Sequence, residues 1–207
     1  MNKHLLTKLM ALTFVGLFQT TEAATLNLQF PNGQDIYSAA KNSIFDAKIY
    51  VNDVNDLAGF DFDLTYNSTN LSAQLLTSGN IFGADTISFA STITPGVGAT
   101  LGRIHFAEST ISTSGLNITT PTLLGTIKFK ALNISPGNAL SISADPIYIP
   151  PQLLFLSDGS GPATGVTGGT AHIIAAPVPL PASALLFAPG LLAVFGIKKN
   201  TARKLMA

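Results

Sequence analysis

Strict alternation of apolar and polar residues is the feature that most limits what this chain can fold into. Residues 59–66 read GFDFDLTY, in which every second side chain is apolar. Successive side chains of an extended strand point to opposite faces, so this segment has one apolar face and one polar face. A helix would scatter the same residues around its axis. The polar face carries Asp61, Asp63 and Thr65.

The same period of two returns along the middle of the chain, and clusters of turn-forming residues separate the runs. Many short strands with one buried face predict an all-β fold, an antiparallel β-sandwich, over residues 24–176. The further alternating runs are residues 45–51, 86–90, 103–107, 125–132, 140–144 and 171–174. The predicted turns are residues 67–70, 95–96, 135–138 and 158–161.

Charge and composition exclude several classes of function. The chain has 207 residues and no Cys, so disulfides, thiolate metal sites and Cys nucleophiles are excluded. Residues 24–176 carry ten acidic and five basic side chains, an excess of five negative charges. An acidic domain without a basic stripe argues against nucleic acid as a partner.

The first 23 residues have the pattern of a secretory signal peptide. Lys3 and Lys8 supply the charged region before the apolar stretch of residues 9–18, which is too short to span a bilayer. Thr21 and Ala23 provide the small residues that a signal peptidase requires. We therefore expect cleavage before Ala24 and a domain that lies outside the cytoplasm.

The other end of the chain has the pattern of a membrane anchor. Residues 180–197 carry no charge, and a helix of that length would span roughly 27 Å, which is sufficient for the hydrocarbon core. The basic residues that follow should stop transfer and stay in the cytoplasm. These are Lys198, Lys199, Arg203 and Lys204.

The segment before this apolar stretch, followed by a Lys/Arg tail, resembles a PEP-CTERM sorting signal. The motif consists of Val178, Pro179, Leu180, Pro181, Ala182 and Ser183. Leu180 stands where the Pro-Glu-Pro form has Glu. The resemblance implies an exopolysaccharide-producing Gram-negative bacterium and an exosortase, a membrane protease-transpeptidase that cuts near the prolines and releases the protein to the surface. The sorting signal would cover residues 177–204. The alternative interpretation is an ordinary single-span anchor.

The order of the central segments resembles the cohesin domain. Residues 54–66 (VNDLAGFDFDLTY), followed by Asn70 and Leu71, are similar to that family's third strand and its following turn. Residues 104–108, 124–131 and 168–173 are similar to its sixth, seventh and closing strands. The resemblance covers about residues 25–175. It implies a nine-stranded jelly-roll sandwich, related in fold to cellulose-binding modules. The best-known cohesins bind dockerins on polysaccharide-degrading enzymes.

Nothing in the sequence indicates catalysis. The domain has two His, His105 and His172, and no Gly-x-Ser-x-Gly motif accompanies them. Asp61 and Asp63 would point the same way along one strand, which suits a solvated face better than the facing carboxylates of a glycosidase. Glu108 is the only Glu of the domain. We therefore predict a protein that is not an enzyme.

A calcium site is the one cofactor that the sequence leaves open. Asp53, Asn55 and Asp56 cluster in one predicted loop and offer oxygen ligands. The spacing fails the EF-hand pattern, because Leu57 stands where an oxygen ligand is required and no Glu closes the loop. Turn formation by Asn and Asp is the alternative interpretation of the same residues.

The cohesin resemblance also implies a binding face. It places the third and sixth strands side by side, and the Asp of dockerin-binding cohesins that faces the partner matches Asp61. Two interpretations of the outward residues stay open: they pair across the strands, or they form a polar recognition patch. The residues of this predicted face are Asp61, Asp63, Thr65, Arg103 and His105.

Three functions are compatible with these observations. The first is an interaction module displayed at the cell surface, a cohesin-like adaptor that ties proteins or exopolysaccharide to the cell envelope. A dockerin-like protein as partner is a narrower form of this function. The second is a carbohydrate-binding module for extracellular polysaccharide, which would need an exposed row of aromatic side chains. The third is a structural component of an extracellular matrix.

Overall fold

The computed structural model describes residues 23–97, 101–146 and 152–175, and β-strands form most of this part of the chain. One short 3-10 turn, Gly83–Asp85, interrupts the strands. The strands are β1 (Ala24–Gln29), β2 (Ile36–Ala40), β3 (Ile44–Asn52), β4 (Val54–Asn67), β5 (Leu71–Ser78), β6 (Thr86–Thr94), β7 (Leu101–Thr110), β8 (Leu116–Ile118), β9 (Thr122–Ala131), β10 (Ser135–Ala144), β11 (Leu154–Leu156), β12 (Thr164–Thr167) and β13 (Gly169–Ile174).

The strands form two sheets, so the predicted all-β sandwich is confirmed. The first sheet has the order β12-β1-β3-β9-β5, and the second has the order β2-β13-β10-β4-β7-β6. The short strands β8 and β11 pair with β4, which makes the second sheet eight-stranded. Pairing is antiparallel except for β1 with β12 and β13 with β2. The described residues thus form thirteen strands, rather than the nine that the resemblance implies, because several short edge strands are added.

The predicted apolar face of β4 lies in the core between the two sheets. Phe60, Phe62, Leu64 and Tyr66 are all exposed by 1% or less. The ring of Tyr66 meets the ring of Phe129 on β9, in the other sheet, edge-on at 5.2 Å between centroids. Burial of such side chains, each worth about 1.5–3 kcal/mol when removed from water, is the main force that holds the sheets together in a chain without disulfides.

The turn predicted at residues 135–138 is wrong, because these residues begin strand β10. The register against β13 shifts between Ser135 and Asn138, so Pro136 and Gly137 are accommodated as an irregularity rather than as a turn. Asn138 is buried, and its side-chain amide donates a 2.9 Å hydrogen bond to the carbonyl of Ala171. A polar residue that resembles a turn former therefore holds two strands together.

The predicted export and anchor segments lie outside the described residues, apart from Ala23. Strand β1 begins at Ala24, whose side chain is buried. Among the described residues, no helix is long and apolar enough to cross a membrane. Cleavage before Ala24, the helix at residues 180–197 and the sorting motif stay predictions.

Candidate functional site

Strands β4 and β7 bring the predicted binding face together on the outer side of the eight-stranded sheet. Asp63 lies opposite His105, and Thr65 lies opposite Arg103, in antiparallel register. The prediction that these two strands are neighbours in one sheet is therefore confirmed. Strand β10 flanks β4 on the other side, where Thr65 Oγ1 donates a 3.4 Å hydrogen bond to the carbonyl of Ser141.

Three carboxylates converge on one guanidinium and one imidazole at this face. Arg103 Nε lies 2.7 Å from Asp63 Oδ1, and its Nη2 lies 3.2 Å from Asp145 Oδ2. His105 Nδ1 lies 3.0 Å from Asp63 Oδ1, 3.5 Å from Asp145 Oδ2 and 3.7 Å from Asp61 Oδ1. These five residues are called the outer-face cluster below. Asp145, which follows β10, is the member that the sequence did not reveal.

The expectation of a solvated face at Asp61 and Asp63 is wrong. Only 7% of Asp61 and 6% of Asp63 is exposed, although both lie on the outer side of the sheet. The side chains of the cluster crowd one another, and the chain leading into β11 passes close by, since the Asp61 N–H donates to the Leu153 carbonyl at 3.1 Å. Buried carboxylates require partners, and here the cluster supplies them.

Electrostatics fix Arg103 in its charged form. The hydrogen bond to Asp63 raises the pKa of Arg103 above its ordinary value, with further help from the negative charges of Asp63, Asp145 and Asp61. The cluster therefore contains three acids against one permanent cation. Cross-strand pairing, one of the two sequence interpretations, is therefore present, and the cluster holds more acidic side chains than permanent cations.

The cluster has the donor atoms of a metal site but also an internal cation. Ligand atoms of Asp61, His105 and Asp145 all lie within 4.8 Å of one another. Arg103 is bonded to Asp145 and to Asp63, next to the same donors. A metal ion would have to compete with this guanidinium for Asp145, so the geometry fits a charge-paired surface better than an ion site.

The candidate calcium loop has the geometry of a turn. Asp53 and Asp56 adopt positive φ angles of 56° and 62°. Asp56 Oδ1 accepts the Gly115 N–H at 2.7 Å, and its Oδ2 accepts the hydroxyl of Ser157. These bonds, led by the one from Ser157, lower the pKa of Asp56. Asp56 thus satisfies backbone and side-chain donors of the loop, as the turn interpretation expects, while the neighbouring Asn55 is exposed.

Sequence reasoning missed two features near this face: the buried state of Glu108 and a cleft. Glu108 points into the core side of β7, where only 3% of it is exposed and Ser78 Oγ donates a hydrogen bond to its Oε2 at 2.9 Å. A cleft of about 400 Å³ opens beside Asp61 between Phe89 and Phe155. No alternation pattern could reveal the cleft, since it depends on a register shift in β6 between Ser88 and Ala90.

Comparison with known proteins agrees with this architecture. The family model of the cohesin domain matches residues 35–148, which is more than half of the chain. A search of curated proteins found no match.

Several solved structures share the fold at low sequence identity. The sixth cohesin of scaffoldin B from Acetivibrio cellulolyticus, solved in complex with a Cel5 dockerin, is 17% identical with a TM-score of 0.52, covering 73% of this chain and 99% of that one. A cohesin module from a Clostridium perfringens family 33 glycoside hydrolase is 13% identical with a TM-score of 0.54, covering 74% and 98%. A non-cellulosomal cohesin from the archaeon Archaeoglobus fulgidus is 13% identical with a TM-score of 0.50, covering 74% and 92%.

The match of the family model, the two-sheet sandwich and the pairing of β4 with β7 all lead to one assignment. Cohesin domains are non-catalytic protein-interaction modules. This chain belongs to the cohesin-domain family.

Proposed function

We propose that this chain is an exported, surface-displayed adaptor that binds a dockerin-like protein through the outer face of its eight-stranded sheet. The single observation that carries the proposal is the outer-face cluster. It places Asp61, Asp63, Arg103, His105 and Asp145 on two adjacent strands and the end of a third, on the outer side of the sheet.

The charge of this face supports recognition of a protein. Complementary charges raise the rate of encounter and reject unsuitable partners, because a like charge brought against a desolvated carboxylate is costly. The partner surface should therefore be basic where it meets Asp61 and Asp145. A solved relative in this family is bound to a dockerin, which supports a protein of that class as the partner here.

The pairing within the cluster supports a binding role rather than catalysis. Asp63 contacts both Arg103 and His105, so its carboxylate is held in a charge pair. A glycosidase needs one carboxyl kept protonated and another kept free across a substrate cleft. In this cluster all three carboxylates lie around the same two basic side chains, which suits a preorganised contact surface.

The proposal includes the cellular location of the protein. The predicted signal peptide at residues 1–23 would export the domain, and the apolar stretch at residues 180–197 would hold it in the membrane. An exosortase-like enzyme would then cut near Pro179 and Pro181 and release the domain to the surface or the extracellular matrix. The pattern of charges at both ends of the chain supports this sequence of events.

Carbohydrate binding is the alternative with an observation in its favour. Phe89 is 69% exposed beside the cleft, and an exposed aromatic ring can stack on a sugar ring. The observation concerns one ring with Phe155 opposite it, rather than the row of aromatic residues that a polysaccharide chain would require. We therefore rank the protein partner first.

A capture experiment tests the choice between a protein and a polysaccharide. The full chain is immobilised, and the secreted fraction of the source organism is passed over it, either untreated or digested with protease. Capture of a protein that mass spectrometry identifies, and that binds again after purification, would support the adaptor function. Retention of polysaccharide after protease digestion, or retention of nothing, would contradict it.

A further inference from the structure

The cleft beside the outer-face cluster is built from a small-residue floor and two aromatic walls. Gly59, Ala107 and Ser109 form the floor, on the paired strands β4 and β7. Phe89 on β6 and Phe155 on β11 line the sides. The volume of about 400 Å³ is that of a small ligand pocket.

The shape of the cleft follows from particular backbone positions. Phe155 lies opposite Gly59 in the β11–β4 register, so an aromatic ring stands next to a position that has no side chain. A Cβ added at Gly59 would come within 3.1 Å of Ser109 Cβ, which shows how closely the floor is packed. Phe89 is the extra residue at the register shift of β6, and a strand irregularity of this kind re-aims a side chain.

The electrostatics of the cleft select a cation. Asp61 lies at one end of the cleft and belongs to the outer-face cluster, in which three carboxylates face one guanidinium. The faces of aromatic rings carry negative potential and attract cations within about 6 Å. Apolar walls with an acid at the end match a side chain that has an apolar stem and a positive tip.

We propose that this cleft is a specificity pocket for an arginine side chain of the protein partner. The stem of the arginine would lie between Phe89 and Phe155, and its guanidinium would lie at the Asp61 end of the cleft, where the negative charge of the outer-face cluster attracts it. Arginine suits the site better than lysine because its planar guanidinium stacks on aromatic rings and keeps its charge. The proposal rests on the proposed function, since it names the chemistry by which the partner is recognised.

The test uses small probes that copy this side chain and does not need the partner. Binding of n-butylguanidinium to the full chain is measured by saturation-transfer difference NMR. The comparison probes are n-butylurea, which keeps the shape without the charge, and methylguanidinium, which keeps the charge without the stem. We expect n-butylguanidinium to bind about tenfold more tightly than either.

Variants locate the bound probe. Phe89→Ala, at a position that is 69% exposed, should weaken binding of n-butylguanidinium by about threefold, the strength of one cation–π contact. Asp61→Asn should weaken it by about tenfold. Leu75→Ala on the other sheet, also at an exposed apolar position, is the matched control and should change nothing.

Three outcomes would overturn the arginine pocket. They are equal binding of the charged and neutral probes, unchanged binding in Phe89→Ala, and binding of methyl glucoside but of no guanidinium. Any of these leaves the adaptor function standing if the capture experiment yields a protein. Capture of polysaccharide alone would instead remove the adaptor function on which the pocket rests.

Discussion

Ser78 Oγ donates a 2.9 Å hydrogen bond to Oε2 of Glu108, and this bond joins β5 of the five-stranded sheet to β7 of the eight-stranded sheet. Ser78 Oγ also accepts the Asn80 N–H at 2.9 Å, so the hydroxyl is held in place. Burial raises the pKa of Glu108 above its ordinary value of 4.5, and the bond from Ser78 offsets part of that effect. The Glu108 carboxyl therefore links the two sheets at a buried point, where its ionised form is energetically unfavourable.

The raised pKa of Glu108 makes the stability of the domain fall with rising pH. Between the unfolded and the folded pKa values, the folded state holds a proton that the unfolded state has lost, so unfolding becomes easier as pH rises from about 4.5. Glu108→Gln keeps the shape and has no charge to bury. We expect it to flatten this decline and to raise the melting temperature at pH 7 more than at pH 4.

Ser78→Ala is the matched variant for that experiment. It removes the bond that lowers the pKa of Glu108, so the decline in stability above pH 4.5 should extend to higher pH and become larger in total. Melting temperatures of the three proteins from pH 4 to pH 8 check both statements. Parallel profiles for the original chain and Glu108→Gln would show that Glu108 carries no such cost.

Gly102 is required by the ring of Tyr66 that lies beside it. A Cβ at Gly102 would lie 2.2 Å from Cζ of Tyr66, and Tyr66 is wedged against Phe129 in the core. Gly102→Ala should therefore cost about 1–3 kcal/mol of unfolding free energy, the usual cost of overpacking. Urea denaturation measures it. Gly137→Ala, whose Cβ would have no neighbour nearer than 3.6 Å, should cost much less. Equal losses would contradict this explanation.

The loop around Asp56 should depend on its charge and not on calcium. The bonds from Ser157 and Gly115 lower the pKa of Asp56 below 3.8, so they stabilise the folded state above that pH and cease to do so as pH falls through the lowered pKa. Asp56→Ala should lower the melting temperature at pH 7, and the difference should shrink toward pH 2. Neither calcium nor EDTA should change the melting temperature of the original chain. A higher melting temperature with calcium would support the calcium site instead.

Alternation of side chains was sufficient to predict strands such as β3, β4 and β7, because one buried face forces a period of two. It also placed Asp61, Asp63 and Thr65 on one face, and the resemblance to cohesins placed Arg103 and His105 beside them. The alternation pattern could not reveal that Asp145 joins the cluster or that Asp61 and Asp63 are buried. Both depend on contacts between residues about 40 to 90 positions apart, which no local pattern contains.

The register shifts within the strands were likewise not predictable from the sequence pattern. Pro136 and Gly137 have the composition of a turn, yet the pairing of β10 with β13 and the burial of Asn138 draw them into a strand. Phe89 lies in an alternating run, yet a register shift sends it to the cleft. Tertiary pairing overrides local preference at both places.

The sorting proposal predicts two processing events. N-terminal sequencing of the exported protein should begin at Ala24. Changing Pro179 and Pro181 to Ala should reduce the surface yield and leave the C-terminal segment attached, which mass spectrometry detects. Changing Pro121 and Pro162 to Ala is the control, since these prolines lie within the described domain. An unchanged C-terminal mass in the first variant would contradict recognition of the proline motif.

The most direct test of the central claim is the affinity of the captured partner for three forms of the full chain. Asp63→Ala with Arg103→Ala breaks the 2.7 Å pair on the proposed face, and Asp46→Ala with Lys128→Ala breaks a 3.2 Å pair on the five-stranded sheet. Loss of a charge pair that is desolvated in a complex should weaken binding at least tenfold, or about 1.4 kcal/mol. We expect that loss for the first variant and a change of less than about twofold for the second. Equal affinities for all three forms, or a loss confined to the second variant, would contradict the assignment of the outer face as the binding surface.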